Sequence, residues 1–136
     1  GSVIDASSLT FIGFNVELMR RLKAAAPEFG CYGIVKILPT GWRWLDEMRA
    51  LRFARRCLGA GLDGVDYRAD AGVVTKRVVD AVHEKGLQCV VYANRAPAEN
   101  DTPELWHAMK TAGVDAFMSN CSAEAFEWWA SRCGEA

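Results

Sequence analysis

Ala60-Gly61-Leu62-Asp63-Gly64-Val65 returns 52 residues on as Ala112-Gly113-Val114-Asp115-Ala116-Phe117, and Lys85-Gly86-Leu87-Gln88-Cys89-Val90 falls almost midway between them. Glycine frees the backbone where a helix ends, and an apolar residue then opens the next strand. Each unit therefore spans about 26 residues. Short apolar runs alternating with stretches of helical period are the pattern of strand, crossover helix and strand in a parallel sheet.

On either side of the repeat the chain reads as five βα units in all. The first apolar run is Leu9 to Phe14, and Asn15 caps a helix with Leu18, Leu22, Ala25 and Ala26 on one stripe before Pro27 discourages continuation. Cys31 to Leu38 forms the second strand. The turn-rich Pro39-Thr40-Gly41-Trp42-Arg43 leads into a helix whose inner face is expected at Trp44, Met48, Leu51, Ala54 and Leu58. Leu62 to Tyr67 follows, then a helix packing Val74, Val78, Ala81 and Val82 and stopping at Gly86. Leu87 to Ala93 is the fourth strand. Thr102-Pro103 offers a capping hydroxyl and a first-turn proline to a helix carrying Leu105, Trp106 and Met109. Asp115 to Met118 is the fifth strand, and Ser122 is expected to cap a last helix carrying Phe126, Trp129, Ala130 and Cys133.

The 136 residues hold one domain, residues 3 to 136, with Gly1-Ser2 read as an expression scar. A closed (β/α)8 barrel of roughly 250 residues does not fit. Hydrophobic residues make up 51% of the chain, enough for a core, and a net charge of -1 gives no global reason to expect nucleic acid as the partner. No apolar run approaches the roughly 18 residues of a spanning helix, and no secretory leader is recognisable, so a cytoplasmic location is expected. Five scattered cysteines (Cys31, Cys57, Cys89, Cys121, Cys133) without a C-x-x-C pair read as reduced thiols.

In parallel βα architectures ligands gather at the carboxyl ends of the strands. Those positions offer Asn15, Lys36, Arg68 with Asp70, Asn94 with Arg95, and Ser119 with Asn120, a weakly basic rim suited to an anionic group. Polar strand ends are also ordinary loop chemistry. His83 and His107 fall inside helices, which argues against acid-base work by histidine. Asp63 and Asp66, three apart, make no shared metal site, and the chain has no nucleophile elbow, P-loop or G-x-G-x-x-G. Arg49, Arg52, Arg55 and Arg56 gather on the polar side of the second helix, with Arg43 just before it. Such a face reads as solvated surface or as a contact for anionic lipid or phosphate. Of Trp42 and Trp44, one is expected in the core and the other free to stack on a ligand or partner.

Val78-Val79-Asp80-Ala81-Val82-His83-Glu84-Lys85-Gly86-Leu87, running into Cys89-Val90-Val91-Tyr92-Ala93-Asn94, resembles the late part of glycerophosphodiester phosphodiesterases, where a helix of the form L-V-x-x-A-H-x-x-G-L leads into a strand ending W-T-V-N. Gly113-Val114-Asp115-Ala116-Phe117-Met118-Ser119-Asn120 is similar to that family's last strand, G-V-D-G-I-I-T-D. Ile12-Gly13-Phe14-Asn15-Val16-Glu17 is similar to its S-S-F-D-P-E, with Gly33 at the small residue of the strand after it. The family's tryptophan falls at Val91, its serine at Gly13 and its final T-D at Ser119-Asn120.

The resemblance implies a TIM barrel, a role in lipid metabolism, and a metal-assisted in-line attack on a phosphodiester that releases an alcohol and glycerol 3-phosphate. The family's catalytic histidines and metal-binding carboxylates lie in earlier H-R-G and E-x-D motifs and a further histidine, none of which is present here. This segment is therefore expected to bind no metal and to hold no catalytic residue, the Ca or Mg ion belonging to the whole barrel. Phe14, Asn94 and Asn120, together with Lys36 from the rim, are the expected substrate contacts. Alone the chain is expected to be inactive.

Five parallel strands cannot close an eight-stranded barrel, so both outer strands present unpaired backbone groups. The fold expected is α/β, the C-terminal part of a TIM barrel, with a flavodoxin-like doubly wound sheet as the alternative. A half-barrel needs a partner, by self-association or by the missing N-terminal half. A noncatalytic phosphate-ligand or protein-interaction module remains the other functional reading.

Overall fold

The computed structural model describes residues 9–93 and 101–132. Five strands alternate with five helices: β1 (Thr10–Gly13), α1 (Val16–Ala25), β2 (Gly30–Val35), α2 (Arg43–Gly59), β3 (Gly64–Arg68), α3 (Lys76–Glu84), β4 (Gln88–Tyr92), α4 (Pro103–Ala112), β5 (Ala116–Met118) and α5 (Ser122–Ala130). All neighbouring strands pair parallel. Their spatial order is β1-β2-β3-β4-β5, the same as their order in the chain. A flavodoxin-like sheet has the order 2-1-3-4-5, so the doubly wound alternative is set aside. The sheet is a curled, open half-barrel.

Successive right-handed crossovers place every helix on one side of such a sheet. The core accordingly joins Met19, Phe53, Cys57, Val78, Val82 and Met109 of the helices to Cys31, Val65, Tyr67, Cys89 and Val91 of the strands. Burial pushes the Cys57 thiol up to about 11 and the Cys89 thiol up to about 12. They are packing groups rather than nucleophiles. Cys31, Cys57, Cys89 and Cys121 are free thiols, and Cys133 lies outside the described residues.

The repeat has a physical cause. Gly61, Gly86 and Gly113 stand at φ 76°, 80° and 92°, where the chain leaves α2, α3 and α4. Two residues beyond the first and last of them, Asp63 accepts the backbone N–H of Cys31 at 2.8 Å, and Asp115 accepts that of Cys89 at 2.7 Å. Each aspartate ties the start of one strand to its neighbour. Asn15, Thr75 and Thr102 cap α1, α3 and α4 through their side chains.

Two expectations need correction. The inner face of α2 is Asp46, Glu47, Ala50, Phe53, Ala54 and Cys57, whereas Trp44, Met48 and Leu58 are exposed. Both stripes have helical spacing, but the small Ala50, Ala54 and Cys57 let the helix approach the sheet at Gly33. A Cβ on Gly33 would stand 2.6 Å from Cys57 Sγ. Asp46 is buried because it accepts the Thr40 N–H and hydroxyl, and Glu47 because it accepts the Thr75 hydroxyl at 2.7 Å. At the other end, Cys121 occupies the N-cap position of α5, so Ser122 is its first residue rather than its cap. Phe126 points outward, 73% exposed, while Ala125 is buried.

Candidate functional site

Alternation along the strands assigns two faces. Cys31 and Gly33 of β2, Val65 and Tyr67 of β3, Cys89 and Val91 of β4 and Phe117 of β5 face the helices. The alternate residues face the concave side, and the strand register stacks them in rows. Ile12, Tyr32, Gly64 and Gln88 form one row; Ile34, Asp66, Val90 and Ala116 the next; Arg68, Tyr92 and Met118 the row nearest the carboxyl ends. This is the layered interior of a barrel, open on one side.

Gly64 leaves a gap in the first row, and across it the Tyr32 hydroxyl donates to Gln88 Oε1 at 2.7 Å. Above, the Tyr92 hydroxyl donates to the Val35 carbonyl at 3.3 Å, arching over β3 to reach β2. Asp66 lies between these two tyrosines with 0% exposure, and neither carboxylate oxygen has a hydrogen-bond partner among the described residues. Burial pushes its carboxyl up to about 7. Arg68, two residues on, is also buried; its Nε lacks a partner among the described residues, and its Nη1 lies 3.5 Å from Asp70. A buried carboxyl and a buried guanidinium with unused hydrogen-bonding capacity are costly unless something else engages them.

The expected rim residues are only partly brought together. Arg68 closes β3 beside Tyr92, and Lys36 follows β2 directly, exposed. Phe14 follows β1 at the open edge, 70% exposed. The Asn15 side chain is used as a cap, accepting the Leu18 N–H at 3.1 Å. Asp70 accepts the Gly72 N–H at 2.8 Å and shapes the turn after β3. Asn94 and Arg95 lie outside the described residues. His83 and His107 are on helix surfaces as expected, His83 pairing with Asp115 at 2.8 Å.

Asp101 is the organiser that sequence reasoning missed. It accepts from Trp106 Nε1 at 2.6 Å, the Ser119 hydroxyl at 2.8 Å, and the backbone N–H groups of Asn120 and Cys121 at 2.6 and 3.2 Å. Burial works to raise its carboxyl, but these donors outweigh it and hold it below the usual carboxylate range. The loop carrying Ser119 and Asn120 is thus built around one carboxylate. Its position just before the Thr102-Pro103 helix start is the only local signal for it.

Among the described residues no three His, Cys, Asp or Glu side chains cluster in a way that could hold a metal ion. Asp66 faces the concave side without a second carboxylate in its row, so these residues do not fit a divalent ion on their own. Among them, too, no helix is long and apolar enough to cross a membrane. In comparisons with known proteins, no family model and no curated protein matches the chain.

Proposed function

We propose that the chain is the later, wall-forming part of a glycerophosphodiester phosphodiesterase barrel. In this reading it contributes substrate contacts and is inactive until the earlier half completes it. The observation that carries the reading is the all-parallel sheet in sequential order, whose two edges pair with no further strand among the described residues. Every residue of β3 is buried, whereas β1 and β5 have none fully buried. Exposed apolar residues collect at those edges: Phe11, Ile12 and Phe14 at β1, Met118 at β5 and Phe126 on α5. Beside β5, a groove of about 520 Å³ lined by Val114, Phe117, Phe126 and Trp129 stands where the first unit of the earlier half would pack. In this reading the half-barrel takes the later position in the closed barrel because its late strands resemble those of the family.

In the complete barrel, Arg68 and Lys36 would face the anionic diester, with Phe14, Asn94 and Asn120 walling the organic portion. Proton transfer and the Ca or Mg ion that supports attack on phosphorus belong to the complementary half. The test is co-expression with a segment supplying the H-R-G and E-x-D motifs, followed by assay of glycerol 3-phosphate release from a glycerophosphodiester with and without divalent metal. Metal-dependent turnover by the complex and none by the chain alone is the expected result. A soluble, stoichiometric complex with no turnover on any glycerophosphodiester would overturn the reading.

The buried, underused guanidinium of Arg68 favours a second reading, a noncatalytic module that binds a phosphate-bearing ligand. Its signature is a ligand-dependent rise in melting temperature, lost in Arg68→Gln, without hydrolysis.

A further inference from the structure

The loop between β2 and α2 presents apolar side chains outward. Leu38, Trp42, Trp44 and Met48 are all more than half exposed, and both tryptophans reach solvent, at 65% and 58%. The expectation that one of them is core is therefore corrected. The loop is held in this pose. Asp46, buried in the first turn of α2, accepts the Thr40 N–H at 3.0 Å and its hydroxyl at 2.9 Å, and the Thr40 hydroxyl in turn accepts the Trp42 N–H at 3.2 Å. Arg49 donates to the Leu38 carbonyl at 2.9 Å, fixing the start of the loop against the second turn of the helix. Met48 follows Trp44 by one helical turn, so the four apolar groups surround one end of α2.

The charge around them is of one sign. Lys36, Arg43, Arg49, Arg52, Arg55 and Arg56 are all exposed, whereas the acids of this stretch, Asp46 and Glu47, are buried and bonded to Thr40 and Thr75. Asp46 also pairs with Arg49 at 3.3 Å, so the excess positive charge of this surface rests on Lys36, Arg43, Arg52, Arg55 and Arg56. Two tryptophans and two aliphatic side chains ringed by cations match the two demands of a lipid interface. Indole rings settle at headgroup depth, and Lys and Arg are attracted to anionic headgroups.

We propose that the β2–α2 loop and the exposed face of α2 form a docking surface for an anionic lipid membrane. The surface lies at the carboxyl-end rim of the sheet, so docking turns the mouth of the half-barrel, with Lys36 and Arg68, toward the bilayer. The inference stands independently of the phosphodiesterase reading, since it uses none of the concave-face residues except Lys36.

The experiment is flotation of the purified chain with large unilamellar vesicles of phosphatidylcholine alone or with about 30% phosphatidylserine, at about 0.1 M salt. The chain is expected to float with the phosphatidylserine vesicles only and to be released as salt rises. Neutralising two cations in R43Q/R52Q is expected to weaken binding about 25-fold, about fivefold for each. W42A/W44A is expected to abolish flotation while leaving the far-UV circular dichroism unchanged, because both rings are exposed. In the wild type, lipids brominated on the acyl chain are expected to quench tryptophan emission, a readout that needs no variant. Failure to float with phosphatidylserine vesicles would overturn the proposal. So would wild-type flotation by W42A/W44A, or cation-dependent retention on duplex DNA without binding to vesicles.

Discussion

Replacing Asp66 by Asn tests the concave face most sharply. In the folded chain this carboxyl has no hydrogen-bond partner among the described residues and burial pushes it up to about 7, against its ordinary value of 3.8 in the unfolded chain. Between those two values the folded state keeps a proton that the unfolded state has lost. The stability this group contributes is therefore fully present below the unfolded pKa. It falls as pH rises through the window and levels off above about 7. A displacement of about three units corresponds to a cost of about 4 kcal/mol at pH 8, of which about 2.5 kcal/mol develops between pH 5 and pH 8. Asn cannot ionise, so Asp66→Asn is expected to be more stable than wild type, by an increment that grows by about that amount over the same interval. Urea unfolding of both proteins at matched concentration, followed by tryptophan fluorescence at pH 5, 6, 7 and 8, measures it. Equal differences at pH 5 and pH 8 would instead mean that Asp66 is ionised and engaged in the folded chain.

Three further outcomes follow from the same geometry. Gly64→Ala places a Cβ 2.7 Å from the Gln88 carbonyl oxygen, which is backbone and cannot swing aside. A loss of about 1 to 3 kcal/mol is expected in denaturant unfolding. Asp101→Ala removes the acceptor of Trp106 Nε1, the Ser119 hydroxyl and the Asn120 N–H, while the Cys121 N–H keeps Ser119 Oγ at 2.9 Å. It is expected to cost about 3 kcal/mol, and hydrogen exchange should show the Asn120 amide losing protection. Because the Asp101 pKa is depressed in the fold, its contribution is present above the unfolded pKa and fades as pH falls through the folded one. The cost of Asp101→Ala should accordingly shrink in acid, measured as the difference in urea midpoint from wild type. Asp115→Ala removes the acceptor of the Cys89 N–H and the partner of His83. It is expected to lower the melting temperature by several degrees, with Asp115→Asn recovering part of the loss.

The βα order was legible because its signals are local. A glycine at the helix end, an Asn or Thr at the N-cap and a proline in the first turn act within a few residues of themselves, and Asn15, Gly86, Thr102 and Gly113 all stand where the pattern puts them. The facing of α2 was not legible. Two helical stripes compete there, and the choice depends on Gly33 of another element and on Thr40 and Thr75 neutralising the cost of burying Asp46 and Glu47. The rim was legible as a set of strand-end positions but not as an arrangement. Asn15 is consumed by capping and Ser119 by Asp101. Asp66 was visible only as an unlikely metal ligand, because its isolation depends on which face of β3 it occupies and on Tyr32 and Tyr92 closing around it.

Light scattering coupled to size-exclusion chromatography at micromolar concentration bears most directly on the claim that this sheet is half of something. An open half-barrel with apolar edges at β1 and β5 is predicted to elute as a species heavier than the 15.0 kDa chain, and to shift to a one-to-one complex when a complementary βα segment is added. A single monomeric peak that ignores the added segment would mean that the edges need no cover, and the half-barrel account would not survive it.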